Sequence, residues 1–439
     1  MKSFKNLISL FAISGLLFSC TTDEQLNDGN SVKEFNQNSS SIIGKATNSF
    51  NTVYSTNSLI VRFADNIDEA SKEGIRSFYE VSTFELCDHC ADNRIELWLF
   101  DDGIDIEPKK TTIEMDPVKI NYVEYQFDFD VSSNKSVQNY NLSSNLSSNY
   151  LPYIKNQNQG VTIAVLDTGI DPAIDNNNLF QNQFLYNATN DGIPGIFSGW
   201  DFVNHDDDCY DDNYGNHGTN VSSIITEILN SNQYHIPYQI LPLKICNEDG
   251  KANYFNFLCA TNYALQRAEI LNMSLGWYNN NFGNQVDNIF LSLMSQYPNA
   301  IIINSAGNDT NNNDQNGHYP SGYLLQNIIA VASCNKYAVN PSLVNPSLGH
   351  VPNISDFSNY GEKSVDYFAN GEELIFLGNT VDGTSFAAPK VTAIIAKIKY
   401  EHPNYSINQV ITELNSIGIL CQNTFDFTKK VSQNRILIP

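Results

Sequence analysis

In the second half of the chain, continuous apolar runs alternate with polar or glycine-containing breaks. They are Val161–Leu166, Ile240–Ile245, Ile270–Met273, Ala300–Asn304 and Ile328–Ala332. Runs without alternation read as strands covered on both faces, as in a mostly parallel sheet. Helical stretches such as Phe255–Arg267 and Phe386–Tyr400 separate some of them. The pattern predicts an α/β domain from about Gly160 onward. Ahead of it the pattern differs. Ser58–Phe63 reads as a strand, and the next stretch sets Ile67, Ala70, Ile75 and Phe78 near one helical face. Val81–Leu86 and Ile95–Phe100 are further strand runs, and Ile120–Asp130 alternates in part. Thr111–Asp116 carries a short, poor helical signal. This is a small α+β unit. Residues 21–56 and 131–150 are polar and rich in Asn and Ser, with Tyr140 and Tyr150 as the features of the second. They read as a flexible tether and an exposed, cleavable stretch.

At 439 residues with 41% hydrophobic content, two domains and a leader are the natural expectation. The net charge of −24 disfavours nucleic acid as a partner, because phosphate binding needs clustered Lys and Arg. The leader is a targeting signal: Lys2 and Lys5, then an apolar run, Leu7–Phe18, too short to span a bilayer as a helix. It ends in Leu17-Phe18-Ser19-Cys20, which resembles a bacterial lipobox and implies lipidation of Cys20. Asp23 and Glu24 look like the surface-export signal of some bacterial lipoproteins. A signal peptide with a chance cysteine is the alternative. Of 8 cysteines, removing Cys20 leaves an odd number, so at least one thiol is free or paired between chains. Cys246 and Cys334 end apolar runs and read as buried thiols. Cys87-Asp88-His89-Cys90 is weak evidence for a metal, and a local disulfide or free thiols are the preferred reading.

Three glycine-marked blocks carry the chemistry: Val165-Leu166-Asp167-Thr168-Gly169, Asn216-His217-Gly218-Thr219 and Gly383-Thr384-Ser385-Phe386-Ala387-Ala388-Pro389. A fourth, Ser305-Ala306-Gly307-Asn308-Asp309, lies between the second and third. A serine hydroxyl is a poor nucleophile unless an imidazole takes its proton and a carboxylate holds that imidazole. Asp167 ends an apolar strand, and Ser385 opens a helix with Pro389 in its first turn. Alone, each has an ordinary reading, as a helix cap, a surface histidine or an N-cap. The order Asp, His, Ser separates the unrelated folds that carry this triad.

The four blocks resemble the subtilases, the subtilisin-like serine peptidases, over most of residues 160–396. The resemblance implies a subtilisin-like three-layer α/β domain with a mostly parallel sheet, preceded by a small α+β propeptide-like domain. It implies Ser385 as nucleophile, His217 as general base then acid, and Asp167 as the group orienting His217. Asn308 matches the family's oxyanion asparagine, with the Ser385 N–H as the second donor. Ser274, Leu275 and Gly276 resemble the substrate-binding strand, and Ala306 and Gly307 the opposite wall of the S1 pocket. His318 precedes Tyr319-Pro320, where the residue commonly lies at the pocket floor. A histidine there shortens the pocket or favours an acidic or polar P1. Asp206, Asp208 and Asp211 lie in an acidic stretch where related subtilases often bind calcium, with a solvated loop as the alternative. The usual Gly before the His is Asn216 here, and the segment after Gly-Thr is Asn220-Val221-Ser222-Ser223.

The expected organisation is a lipoprotein signal at 1–19, a tether at 20–56, a propeptide-like inhibitor domain at 57–130 and a peptidase domain at 131–439. The expected protein is a lipid-anchored serine endopeptidase of the bacterial cell envelope, or a secreted one. Its partners are a peptide or protein substrate, its own propeptide and, through the anchor, a membrane. A catalytically inactive peptide-binding relative and a dedicated maturase of one peptide partner are the rival readings.

Overall fold

In the computed structural model the first strand, β1, runs from Val53 to Phe63, so it starts inside the predicted tether. The described residues are 52–90, 92–131, 147–156, 160–174, 180, 183–278, 287–376, 379–421 and 429–439. The signal, Cys20, the tether to residue 51 and residues 132–146 lie outside them. Helix α1 (Glu69–Phe78) follows, then β2 (Thr83–Leu86), β3 (Ile95–Leu99), helix α2 (Ile106–Glu114) and β4 (Ile120–Asp130). Asp68 caps α1 by accepting from the Ser71 N–H, which satisfies one of its orphan donors. Ile75 is buried as expected, but Phe78 is exposed, and Lys72 takes an inward place with its ammonium on Glu69 and the Asn93 carbonyl. Helix α2 corrects the sequence reading of Thr111–Asp116. It starts earlier, at an Asp105 cap, and only Ile106 and Ile113 are buried, too few to give a periodic signal.

The part from residue 160 onward contributes β5 (Val161–Asp167), β6 (Trp200–Asp201), α3 (His217–Asn230), β7 (Tyr238–Lys244), β8 (Lys251–Asn253), α4 (Tyr254–Leu265), β9 (Ile270–Met273), β10 (Trp277–Tyr278), α5 (Asn288–Gln296), β11 (Ile301–Ser305), β12 (His318–Tyr319) and β13 (Ile328–Cys334). It continues with α6 (Lys336–Val339), β14 (Tyr367–Asn370), β15 (Leu374–Phe376), β16 (Asn379–Val381), α7 (Thr384–Glu401), α8 (Ile407–Ile417), β17 (Ile419–Leu420) and β18 (Arg435–Ile436). Nine strands form one sheet in the order β17-β18-β14-β13-β11-β9-β5-β7-β6. Every pairing is parallel except β17 with β18.

Side chains alternate across this sheet. Ile163 and Val165 face the layer of α3, α7 and α8, while Ala164 and Leu166 face α4 and α5. Burial on both faces is why these strands read as unbroken apolar runs. β5 lies between β7 and β9, so the chain leaves it in both directions. Such reversals open a crevice at the carboxyl ends of parallel strands, and Asp167 stands there.

The N-terminal sheet, order β2-β3-β1-β4, continues into the larger α/β part through β8. Its inner face carries Leu59, Val61 and Val123 onto α1 and α2. Its outer face carries Ile60, Leu97, Phe127 and Phe129 into the α4/α5 core. Phe127 stacks on Tyr254 with centroids 4.6 Å apart, and Phe129 lies 5.0 Å from Trp277. The Glu124 carboxylate accepts from the Ile289 N–H at the start of α5 and from the Tyr254 hydroxyl. β4 is therefore covered on both sides, which blurred its alternation. Among the described residues no helix is long and apolar enough to cross a membrane.

Candidate active site

Asp167 and His217 meet because β5 and α3 approach closely. A Cβ on Gly218 would lie 2.3 Å from the Gly169 carbonyl and 3.1 Å from Asp167 Cβ, so only glycine fits. The residue ahead of His217, Asn216, has φ 47 and ψ 47. That left-handed conformation accounts for the family's glycine there, and asparagine is among the side chains that tolerate it. His217 Nδ1 and Asp167 Oδ1 are 2.7 Å apart in a buried pair. Asp167 Oδ1 also accepts from the Thr168 N–H at 2.8 Å. Burial alone would depress the His217 pKa, but the adjacent Asp167 carboxylate outweighs it and the net shift is upward. Since a general base must be neutral, kcat/KM is expected to rise with pH through an apparent pKa above the ordinary histidine value of 6.5. An inflection below that value in a pH–rate profile would contradict the Asp167–His217 assignment.

Asp211 has a different place from the one read in the sequence. It is fully buried behind this pair. Its Oδ1 accepts from the Thr168 hydroxyl and the Asn213 N–H, and its Oδ2 accepts from the Thr219 N–H and hydroxyl. Thr168 Oγ1 in turn accepts from the Gly218 N–H. The carboxylate thus ties the residue after Asp167 to the turn that carries His217. Burial pushes its pKa up to about 6 against these hydrogen bonds. Asp206 and Asp208 remain in the loop, where Asp206 accepts from the Asp208 N–H and Asp208 from the Tyr210 N–H. Among the described residues no group of three or more His, Cys, Asp or Glu is placed to hold a metal ion.

Ser385 is the second residue of α7, and Pro389 is inside the helix, beyond the first turn predicted for it. The missing N–H of Pro389 leaves the Ser385 carbonyl without its intrahelical donor. The Ser274 hydroxyl fills that vacancy at 2.8 Å. Ser274 Oγ accepts from Asn272 Nδ2, and Asn272 Oδ1 accepts from Thr392 further along α7. The turn bearing Ser385 is therefore held by a buried chain of hydrogen bonds that starts and ends on α7. The Ser385 hydroxyl donates to the Ser274 carbonyl at 3.2 Å. The next residue, Phe386, packs its ring 5.4 Å from the His217 ring. His217 Nε2 is buried without a hydrogen-bond partner.

Asn308 follows β11. Its Oδ1 accepts from the Thr384 N–H at 2.8 Å and the Thr384 hydroxyl at 2.9 Å. An N–H can only donate, so this contact fixes which end of the amide is the carbonyl and which the donor. Thr384 Oγ1 also accepts from the Gly307 N–H. The loop beyond is held by buried Asn359, which donates to the Ala306 carbonyl and accepts from the Asp309 and Asn311 N–H groups. Sequence reading passed over Thr384, Asn359 and the structural part of Ser274. Thr384 sits inside a quoted block, while Asn359 carries no local signal.

Ser274, Leu275 and Gly276 run out of β9, and Ala306 and Gly307 out of β11. His318 is buried between these segments. A Cβ on Gly276 would fall 2.2 Å from His318 Cε1, and one on Gly307 would fall 3.1 Å from its Cδ2. His318 Nδ1 pairs with Ser321 Oγ at 2.7 Å, and burial pushes the imidazole down to about 3. It is neutral at any working pH.

The cysteines also depart from expectation. Cys87 is bonded to Cys259, and Cys90 remains a thiol, so the pair does not close on itself. Cys246 and Cys334 are buried thiols as read.

The sequence matches the subtilase family over residues 158–424. It is 24% identical over 242 residues to Subtilisin DY of Bacillus licheniformis, covering 53% of this chain and 81% of that protein. It is 28% identical over 254 residues to Subtilisin-like protease 2 of Plasmodium falciparum, covering 55% of this chain and 17% of the relative, so the chain spans a small part of that protein. The crystal structure of fervidolysin from Fervidobacterium pennivorans, a keratinolytic enzyme related to subtilisin, matches with a TM-score of 0.58 at 16% identity. That match covers 87% of this chain and 61% of the other. The fold likeness thus reaches beyond residues 131–439.

Proposed function

This chain belongs to the subtilase family, and from that premise we propose that it is a serine endopeptidase working through an acyl-enzyme. The observation that carries this reading is the buried Asp167–His217 pair beside the Ser385 turn, with Asn308 pinned against the same turn. In the proposed reaction His217 Nε2 takes the Ser385 proton as Oγ attacks the scissile carbonyl. The Asn308 amide and the Ser385 N–H receive the oxyanion, and His217 returns the proton to the leaving amine. Water then repeats the sequence on the ester. Asp167 stays ionised and holds the imidazole through Nδ1.

An extended substrate lies along Ser274–Gly276 and reads its P1 side chain between that strand and Ala306–Gly307. With a neutral imidazole against both walls, His318 acts on P1 by volume, not by charge. Small P1 residues are favoured, and an acidic P1 finds no counter-charge in this ring. Profiling on a peptide library is expected to show cleavage after small residues. No cleavage of any member overturns the peptidase reading, and preference for a large aromatic P1 overturns the role of His318.

We further read the N-terminal domain as an inhibitory propeptide. Support comes from β4, whose end pairs with β8 from Asp128↔Asn253 to Asp130↔Lys251, and from the Val131 N–H donating to the Gly250 carbonyl. Gly250 packs near the Asn213 side chain, in the turn leading to His217. That course brings the end of β4 alongside the catalytic crevice. The leader supports lipidation at Cys20 and a place in the bacterial cell envelope, both proposals resting on sequence.

A further inference from the structure

The loop Cys87-Asp88-His89-Cys90 touches the peptidase part at each of its four residues. Cys87 is disulfide-bonded to Cys259 in α4. Asp88 Oδ2 accepts from the Trp200 indole N–H at 3.2 Å and pairs with His205 Nδ1 at 2.7 Å. His89 sets its ring edge-on to Trp200 at 4.4 Å between centroids. The Cys90 thiol donates to the Cys259 carbonyl at 3.2 Å. The covalent link joins residues 172 positions apart and bridges the stretch 132–146. On the propeptide reading, which this inference rests on, a cut in that stretch does not free the N-terminal domain. The two pieces remain one molecule.

That changes what cleavage accomplishes. A product domain held only by contacts leaves on dilution, whereas one held by a bond stays at high effective concentration over the site. We propose that Cys87 and Cys259 form a thiol–disulfide exchange site that retains the N-terminal domain on the cut peptidase, and that a dithiol reductant is the co-substrate that releases it. One thiolate of the reductant attacks Cys87 Sγ, the more exposed of the two sulfurs, since Cys259 is 2% exposed. The Cys87–Cys259 bond breaks, and Cys259 leaves as a thiolate and takes up a proton. The reductant's second thiolate then attacks its own sulfur in the mixed disulfide. The reductant departs as a cyclic disulfide and Cys87 becomes a thiol after protonation. Two electrons pass from the dithiol to the bridge. Cys90 could attack Cys87 from within, but burial pushes its thiol up and keeps it protonated while the domain is docked. Rearrangement to Cys87–Cys90 is therefore slowed while the domain is docked, and cutting and release are separate steps.

Peptide mapping of the full-length protein without reductant is expected to yield a Cys87–Cys259 cross-linked peptide. Its absence overturns the proposal whatever the protein's activity. Protein cut in the 132–146 stretch, by itself or by limited trypsin at Lys135, is expected to run as one species on a denaturing gel and as two after dithiothreitol. For self-processed protein, dithiothreitol is expected to raise hydrolysis of a small peptide at least about tenfold, as a high local inhibitor concentration is lost. Cys259→Ser and Cys87→Ser are each expected to show the raised rate without reductant. The second variant guards against a folding fault in the first. Equal rates with and without dithiothreitol in wild type overturn the latch. A bridged protein inactive under every condition overturns the peptidase reading and the release step, and leaves the covalent link.

Discussion

Ser385→Ala is expected to lower kcat for peptide hydrolysis by roughly 10⁶, the size of the loss when the nucleophile is removed from a subtilisin. The physical reason is that no other group can take its place. The nucleophile must lie at the start of α7, beside His217 and within reach of Asn308, and the neighbouring hydroxyls are already committed. Thr384 Oγ1 lies between Asn308 and the Gly307 N–H, and Ser274 Oγ is bonded to the Ser385 carbonyl. The variant should keep its fold, because the Ser385 hydroxyl makes one hydrogen bond, to the Ser274 carbonyl, while the helix-holding contact uses the Ser385 backbone. Thermal midpoints of variant and wild type should therefore agree closely. A fluorophosphonate probe should label the wild type at Ser385 and leave the variant unlabelled. Activity surviving in a pure, folded Ser385→Ala sample would remove the nucleophile assignment.

The strands of the large sheet were legible because burial on both faces leaves a simple trace: Ile270–Met273 was read to the residue, and the others shifted by one or two positions. The blocks around Asp167, His217 and Ser385 stood out because close backbone approach forces glycine beside them, as at Gly218. What could not be read depended on partners distant in sequence. Asp211 looked like one carboxylate among several in an acidic loop. Only the fold turns it inward onto Thr168 and Thr219. Cys87 and Cys90 read as a local disulfide or free thiols, because the spacing cannot reveal Cys259 across the domain contact. Pro389 was assigned one turn too early, since a helix starting at Thr384 needs Ser274 to replace the missing donor. Helix α2 was read only in its last turn, because its first turn rests on an Asp105 cap and not on apolar period.

Asn308→Ala is expected to lower kcat by about 10²–10³ with little change in KM, the cost of removing one oxyanion donor in a subtilisin. The substitution also has a structural consequence that must be separated from the catalytic one. Asn308 Oδ1 accepts from the Thr384 N–H and hydroxyl, so alanine leaves donors beside the nucleophile without their acceptor. A buried donor left unmet costs about 1–3 kcal/mol, enough to lower the thermal midpoint. Asn308→Asp resolves the two effects. Aspartate keeps an oxygen toward Thr384 and presents an acceptor where the amide donated. Its thermal midpoint should stay closer to wild type than that of the alanine variant, while its kcat should fall at least as far, because a carboxylate repels the developing oxyanion. If Asn308 served only to hold Thr384, the aspartate variant would recover most of the activity, and the oxyanion role would pass to another donor. A loss of kcat in the aspartate variant at least as large as in the alanine variant, with the larger loss of stability in the alanine variant, is the result that the position of Asn308 against Thr384 leads us to expect.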